Sequence, residues 1–408
     1  MAILTAQEHR IEPTPEAPNP NVARLGKFPD WSVLEAFQYT MTRSEFVYLL
    51  HHCYARKKAD YAGLIEIFYD RVLIAKQSNY AEAGFFTLWF KEEPEDSRQP
   101  KTYWRDVHEM DEVRPNSSKP LEGVKIAIDP GHIGGDWVRW DDRHFTLGRD
   151  TIEVREGEMT LRVAKILERD LTTLGAVVFL TRADNNPVTD LRVDGLYNEA
   201  RSYLIRKRRL PSRKSIADTA KAMFAISSEI RCRADLVNET FQPDLALCLH
   251  FNASPWGRRP SFRSSNHLHL LINGCYSGYE ISEDDTRLEM IYRMLQRIYY
   301  RELAMAENMA VTMAKETRLP AFRYGSLAKA VSPNRYVWAR NLLANRSFMC
   351  PVVFFEPYCM NHREIHARVQ AGEYRGLREF GGVYRKNVYQ EYADGVTSGL
   401  VNYFRRRR

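Results

Sequence analysis

The feature that most constrains the fold is a short apolar run, residues 124–128, that ends abruptly in Asp129, Pro130, Gly131 and His132. An apolar run of this length favours a buried strand, and the proline–glycine pair must end it. His132 therefore follows the carboxyl end of a strand. Because open α/β sheets place their ligands and chemistry at that end of their strands, His132 is a candidate for a functional site.

Further apolar runs alternate with segments of helical periodicity. Between residues 157 and 174 the apolar side chains recur at helical spacing, and Gly175 ends this helix. The alternation predicts an α/β fold, with a mostly parallel central sheet and helices on both faces. The other predicted strands of this sheet are 176–181, 245–250, 267–273 and 351–356, and long helical stretches are predicted at 284–317 and 387–404.

Changes in composition divide the chain into four parts. Residues 1–30 are polar and rich in proline, which predicts a disordered tail. Residues 31–92 predict a small α+β module, with a capped helix followed by three short strands. Residues 93–120 are charged and interrupted by prolines, as is typical of a linker. Residues 121–408 form the large α/β domain, with a helical, basic insertion at about 184–230.

The charge of the chain favours anionic surroundings. The net charge is +7, and residues 201–214 contain seven basic residues and no acidic one. This basic stretch is either a solvated helix face or a cationic lid that attracts an anionic polymer. No nucleic-acid recognition module is present in the sequence, so charge alone does not predict a nucleic-acid partner.

The sequence gives little direct information on cellular location. Residues 1–20 lack the charged-then-apolar pattern of a secretory signal, so no signal peptide is visible. No apolar run approaches the roughly 18 residues of a transmembrane segment. Either the protein stays inside the cell or a leader is missing from this sequence. The six cysteines are dispersed without a Cys-x-x-Cys pair, and we expect free, mostly buried thiols.

Three other side chains lie at the ends of predicted elements, as His132 does. His250 ends the apolar run 245–249, and Glu356 closes the strand that begins at residue 351. Neighbouring parallel strands would bring both to one rim, and a charge at the end of an apolar strand is costly without a function or a partner. Glu156 lies just before the helix 157–174, and Glu153 is its rival as a ligand.

Two imidazoles and one carboxylate are typical of a catalytic zinc site. They leave the fourth tetrahedral position open to water, whose pKa zinc lowers while it polarises a carbonyl. A second carboxylate that does not bind the metal can move the proton from water to a leaving amine, and Glu356 fits this role. The reaction class is metal-assisted amide hydrolysis.

At these residues the chain resembles the zinc-dependent N-acetylmuramoyl-L-alanine amidases, the amidase-3 family of cell-wall hydrolases. The resemblance covers about residue 124 to the C-terminus, with insertions. The motifs that carry it are 128–132, 156–161, 176–182, Arg233 with Asn238, 249–253, and 353–356 followed by Asn361.

The resemblance implies a function and a set of residue roles. His132, Glu156 and His250 would bind Zn²⁺, and Glu356 would be the catalytic acid/base. The substrate would be peptidoglycan, cut between the lactyl group of N-acetylmuramic acid and L-alanine. Such an enzyme acts in the periplasm or cell envelope, which the visible N-terminus does not explain.

The chain also departs from the family pattern. Ile133 replaces a family glycine after the first histidine, and the insertion at 184–230 is either a lid or an autoinhibitory helix. Two alternative functions are a zinc amidohydrolase or carboxypeptidase on another peptide-like substrate, and a catalytically silent cell-wall-binding protein. The sequence makes no prediction of oligomeric state.

Overall fold

A seven-stranded, mostly parallel sheet forms the centre of the protein. The computed structural model describes residues 29–78, 84–92, 100–110, 118–149 and 151–405. The predicted disordered tail therefore lies outside the described residues, apart from Pro29 and Asp30. Of the predicted linker, only 100–110 and 118–120 are described.

The described residues form the following strands and helices. The strands are β1 (Ile65–Ile67), β2 (Arg71–Ala75), β3 (Phe85–Trp89), β4 (Lys125–Pro130), β5 (His144–Phe145), β6 (Val154–Arg155), β7 (Val177–Leu180), β8 (Leu245–Leu249), β9 (Leu268–Ile272), β10 (Lys329–Ala330), β11 (Val337–Ala339), β12 (Val352–Pro357), β13 (Arg378–Phe380) and β14 (Val383–Arg385). The α-helices are α1 (Arg43–Leu49), α2 (Val138–Asp141), α3 (Glu156–Thr173), α4 (Tyr197–Arg206), α5 (Arg213–Ala222), α6 (Glu229–Asp235), α7 (Gly278–Ile281), α8 (Asp284–Leu295), α9 (Ile298–Thr317), α10 (Leu343–Ser347), α11 (Arg363–Gln370) and α12 (Val388–Arg405).

The strand order of the central sheet is β10-β11-β9-β12-β8-β4-β7. Strands β12, β8, β4 and β7 are mutually parallel, so their carboxyl ends lie at one edge of the sheet. Strand β9 runs antiparallel to β12, so its amino end reaches the same edge, and His269 pairs with Glu356. The predicted mostly parallel sheet is confirmed, and the reversed strands β9 and β11 are an addition to it.

Side-chain alternation along the strands separates two packed layers. One face of the sheet packs against α3, α9 and α12 in the largest core cluster. The opposite face carries Ala127, Cys248 and Phe354, which pack with Ala234 of α6 and Ala344 of α10. The expectation of helices on both faces is confirmed. By the same alternation, His250 and Glu356 follow Cys248 and Phe354 on the second face.

The predicted α+β module is also present. Strands β1, β2 and β3 form an antiparallel sheet beside α1, whose first turn is capped by the Thr42 hydroxyl, 3.2 Å from the Glu45 amide nitrogen. The helix continues to Tyr54 as a π-helical turn. The module shares its apolar core with the central sheet. A backbone hydrogen bond also joins the module to the large domain, because the amide of Tyr276 donates to the carbonyl of Tyr54.

Residues 100–110, within the predicted linker, pack against the large domain, where Trp104 is buried and Arg105 binds the carboxylate of Asp244 at 2.7 Å. One segment differs from its prediction. The single helical stretch predicted at 284–317 is two helices. They are separated at Arg297, whose φ of 57° interrupts the helix while its guanidinium binds Glu45.

None of the helices in the described ranges combines the length and the apolar character needed to cross a membrane. All six cysteines lie within the described ranges as free thiols, and five of them are buried.

Candidate active site

The turn after β4 places His132 at the edge of the sheet. His132 has a φ of 63°, in the left-handed region that non-glycine residues rarely adopt. Arg233 of α6 stabilises this turn: its guanidinium donates to the carbonyls of Pro130 and His132, both at 2.8 Å, and binds Asp129 at 3.0 Å. The turn is therefore held by a fully buried arginine of α6.

Glycine is required beside this histidine. A Cβ atom on Gly131 would lie 2.3 Å from the imidazole of His250 and 2.6 Å from the carbonyl oxygen of Leu249. The first histidine loop can approach β8 this closely only because residue 131 has no side chain.

Glu156, the first residue of α3, lies between the two histidines. Its Oε1 atom is 3.3 Å from His132 Nε2 and 3.3 Å from His250 Nδ1, and it accepts a hydrogen bond from the amide of Phe251 at 3.0 Å. The carboxylate is only 2% exposed. The Oε1 atom of Glu156 thus faces one nitrogen of each imidazole.

The distances from the Glu156 oxygen to the two imidazole nitrogens fit the ligands of a tetrahedral metal ion. Ligand atoms at about 2.0–2.1 Å from a tetrahedral zinc ion are about 3.3–3.4 Å from one another. Both measured distances to the Glu156 oxygen have this value. Among the described residues, His132, Glu156 and His250 are the one group of three or more such side chains whose ligand atoms converge closely enough to hold a metal ion.

Asp141, which the sequence analysis missed, orients the first histidine. Its Oδ2 atom lies 2.9 Å from His132 Nδ1 and accepts a hydrogen bond from the amide of Ile133 at 3.1 Å. A carboxylate on the second ring nitrogen is the usual partner of a metal-binding histidine, because it directs the other nitrogen to the metal. Asp141 lies on the short helix α2 inside a loop, where no periodicity marks it.

The charges of the site depend strongly on one another. Burial alone would lower the pKa of His132, but the carboxylates of Asp141 and Glu156 raise it to about 10. Burial favours the protonated form of Glu156, but the two imidazoles hold the pKa of its carboxyl well below its usual range. Burial lowers the pKa of His250 and so favours the neutral imidazole that a metal ion requires.

Glu356 lies in the same cavity, which has a volume of about 390 Å³. Burial, and next the negative charge of Glu156, raise the pKa of the Glu356 carboxyl to about 8. No described residue donates a recorded hydrogen bond to the Glu356 side chain. The carboxyl is therefore available to a molecule bound in the cavity.

Glu153 is placed away from this group. Its carboxylate binds His144 Nδ1 at 2.6 Å and Arg155 Nε at 2.7 Å, beside the β5–β6 hairpin. The structure thus brings Glu156, and not Glu153, to the two histidines that the sequence analysis selected.

The helical insertion forms one wall of the cavity. Ala225, Ile226, Glu229 and Ile230 line it together with Arg233. Ile133, which departs from the family pattern, is fully buried in a cluster with Leu196, Leu204 and Phe224 of the insertion. The isoleucine therefore anchors the insertion beside His132. Most of the basic residues at 201–214 are exposed, and none of them lines the cavity.

The opposite wall carries His269, Tyr324 and Arg340, which the sequence analysis did not select. His269 Nε2 lies 2.8 Å from the Tyr324 hydroxyl, and the Arg340 guanidinium lies 3.4 Å from the same hydroxyl. Only the antiparallel pairing of β9 with β12 brings His269 opposite Glu356.

Comparison of sequences gives a partial match to a cell-wall enzyme. No family model matches the chain. The probable cell wall amidase LytH of Staphylococcus aureus is 29% identical over 119 residues, 28% of this chain. The match spans only 38% of the length of that relative.

Comparison of structures gives N-acetylmuramoyl-L-alanine amidases. Ami1 of Mycobacterium smegmatis is 15% identical, with a TM-score of 0.40 over 70% of this chain and 99% of Ami1. AmiC2 of Nostoc punctiforme is 16% identical, with a TM-score of 0.37 over 70% of this chain and 99% of AmiC2.

Proposed function

We propose that this protein is a zinc-dependent amidase that hydrolyses the bond between N-acetylmuramic acid and L-alanine in peptidoglycan. The observation that carries the proposal is the convergence of His132, Glu156 and His250 at tetrahedral spacing, with the unpaired carboxyl of Glu356 on the same cavity. The family motifs and the partial likeness to LytH support the choice of substrate.

The donor set suits zinc. One carboxylate and two imidazoles are the ligands of catalytic zinc sites, and Asp141 supplies the outer carboxylate that such sites use. Zinc bound there supplies a Lewis acid that activates water and polarises the scissile carbonyl.

The residues of the chain then have separate tasks. Asp141 holds His132 Nδ1, so that Nε2 is directed to the metal position. Glu356 takes a proton from the attacking water and delivers it to the leaving nitrogen of L-alanine. Burial, and after it the charge of Glu156, raise the pKa of Glu356. A metal ion held by Glu156 would offset that charge and so favour the ionised form of Glu356, which acts as the base.

The proposed substrate also sets the location and partner. A peptidoglycan hydrolase acts in the periplasm or cell envelope, where its partner is the anionic cell-wall polymer. The positive net charge of the chain suits that polymer.

Mass spectrometry of digested peptidoglycan tests the proposal. We expect the zinc-loaded protein to release stem peptides that begin with L-alanine and to leave glycan strands with free lactyl groups. Products cut within the peptide would indicate the carboxypeptidase alternative. Unchanged muropeptides after incubation with zinc-loaded protein would indicate a silent binding protein.

Substitution of the proposed ligands tests the metal. We expect His132→Ala and His250→Ala each to lose both bound zinc and amidase activity, because each removes one of three ligands. Zinc content is measured by mass spectrometry after dialysis, and circular dichroism shows whether the variant is folded. A folded His250→Ala variant that binds zinc as the wild type does would contradict the ligand assignment.

A further inference from the structure

Arg340, one of the arginines that line the cavity, forms no ion pair with a described residue. Among the described residues, no carboxylate lies within 4.0 Å of the Arg340 guanidinium, and its one recorded side-chain hydrogen bond is the contact with the Tyr324 hydroxyl. Two other arginines that line or adjoin the site are paired: Arg233 binds Asp129 and Glu229, and Arg346 binds Glu289. Arg340 is therefore available to an anion that enters the cavity.

The neighbours of Arg340 are held in place. The Tyr324 ring contacts His269, Phe322 and Trp338 edge-on, with centroid distances of 5.1, 4.8 and 5.5 Å, and the guanidinium lies 5.7 Å from the ring centre. His269, 1% exposed, contacts the Tyr324 hydroxyl through Nε2. This packing restrains Tyr324, so the guanidinium meets a preorganised aromatic face and hydroxyl.

The anion must belong to the part of the substrate that lies near Glu356. His269 pairs with Glu356 across β9 and β12. The group formed by His269, Tyr324 and Arg340 therefore lies beside the proposed acid/base. In a muramoyl peptide the lactyl carboxyl is consumed in the scissile amide, and the remaining carboxylates near that bond belong to the peptide. Arginine is suited to a carboxylate because its planar fork matches both oxygens.

We propose that Arg340, held beside Tyr324 and His269, binds a carboxylate on the peptide portion of the substrate and determines specificity for acidic stem peptides. This inference rests on the proposed amidase function and goes further, because it names the chemical group that the cavity selects. It assigns Arg340 a role in recognition, and Tyr324 and His269 roles in positioning Arg340.

A pair of substrates that differ in one group tests the inference. One is the γ-methylamide of muramoyl-L-alanyl-D-glutamate, whose peptide carries the α-carboxylate alone, and the other carries a carboxamide at that α position. We expect the zinc-loaded wild type to prefer the carboxylate by about 10- to 100-fold in kcat/KM, the usual size of a charge-assisted contact. In Arg340→Gln we expect this preference to disappear, mainly through a higher KM for the carboxylate substrate.

Arg335→Gln is the matched control, because Arg335 is an exposed arginine on the approach to β11 and does not line the cavity. It should keep the wild-type preference. Tyr324→Phe removes the hydroxyl beside the guanidinium and should reduce the preference without abolishing it. An Arg340→Gln variant that is folded and still prefers the carboxylate substrate as the wild type does would overturn the inference.

A binding measurement separates this inference from the proposed function. Calorimetry with the γ-methylamide of acetyl-L-alanyl-D-glutamate and with the matching α-carboxamide needs no turnover. If the wild type cleaves neither muramoyl substrate, the amidase proposal fails; tighter binding of the carboxylate that is lost in Arg340→Gln would still support the role of Arg340. Equal binding of both peptides by the wild type would contradict it.

Discussion

At the scale of single residues, two carboxylates on one cavity have opposite affinities for a proton. The imidazoles of His132 and His250 keep Glu156 ionised, whereas burial and the charge of Glu156 raise the pKa of Glu356 to about 8. Environments that separate two carboxyl pKa values in this way commonly separate their roles as well. Glu156 is thereby suited to bind a cation and Glu356 to move a proton.

This division predicts the effect of Glu356→Gln. We expect kcat to fall by about 10²- to 10⁴-fold, the usual contribution of general acid–base catalysis, with zinc content unchanged. Glu153→Gln is the control, since Glu153 binds His144 and Arg155 away from the metal position. Loss of zinc from Glu356→Gln, or equal loss of activity in the control, would show that the roles are wrongly assigned.

Asp141 predicts a separate effect on metal affinity. We expect Asp141→Asn to weaken zinc binding by about 10- to 100-fold, because a neutral amide no longer holds His132 Nδ1 as strongly. Competition with a chromophoric chelator measures the change. Asp142→Asn, at the exposed neighbouring position, should bind zinc as the wild type does; equal affinity of both variants would argue against the outer-carboxylate role.

At the scale of elements, the site could be predicted where parallel strands set it and not elsewhere. His132 and His250 follow β4 and β8, and Glu356 lies near the carboxyl end of β12. The carboxyl ends of parallel strands share one edge of a sheet, so an apolar run that ends in a polar residue was a sufficient signal. His269 and Arg340 depend on the direction of β9 and on the strand order. Neither follows from local periodicity, because strand direction is decided by tertiary packing. Asp141 was missed for a related reason, since its role depends on how a loop returns to His132.

The close approach of the β4 turn to β8 predicts the effect of Gly131→Ala. The new methyl group would overlap the His250 imidazole and the Leu249 carbonyl, so one of them must move. We expect a loss of about 1–3 kcal/mol in the free energy of unfolding, together with weaker zinc binding. Chemical denaturation and zinc titration measure the two effects. Gly257→Ala, where a methyl group meets nothing within 4 Å, should have neither.

At the scale of the whole molecule, one apolar core joins the small module to the central sheet. Phe46 and Ile74 of the module belong to the same cluster as Leu247 and Phe355 of the sheet. The bridge between Ala55 and Tyr276 adds a backbone connection. The small module and the large domain, which differ in composition along the chain, thus share one apolar core.

Global stability should fall in acid because two buried histidines remain neutral in the folded protein. Burial lowers the pKa of His267 to about 4 and that of His269 to about 3. Their unfolded pKa is about 6.5, so below that value the unfolded chain binds more protons and the folded state loses stability. We expect each to cost about 2 kcal/mol between pH 7 and pH 5.

Urea denaturation at the two pH values measures this loss. His267→Gln should remove about half of the effect that the two histidines share, whereas His108→Gln, at an exposed site, should leave it unchanged. An identical dependence on pH in the wild type and in His267→Gln would show that His267 is not its source.

The guanidinium of Arg233 also has a consequence for the order of folding. It joins Glu229 of α6 to the carbonyls of Pro130 and His132, which lie about 100 residues earlier in the chain. The left-handed turn at His132 gains these hydrogen bonds only after α6 has docked. Metal uptake is therefore expected to be a late event, and the rate at which zinc is captured during refolding should follow the docking of α6 and not the formation of the sheet.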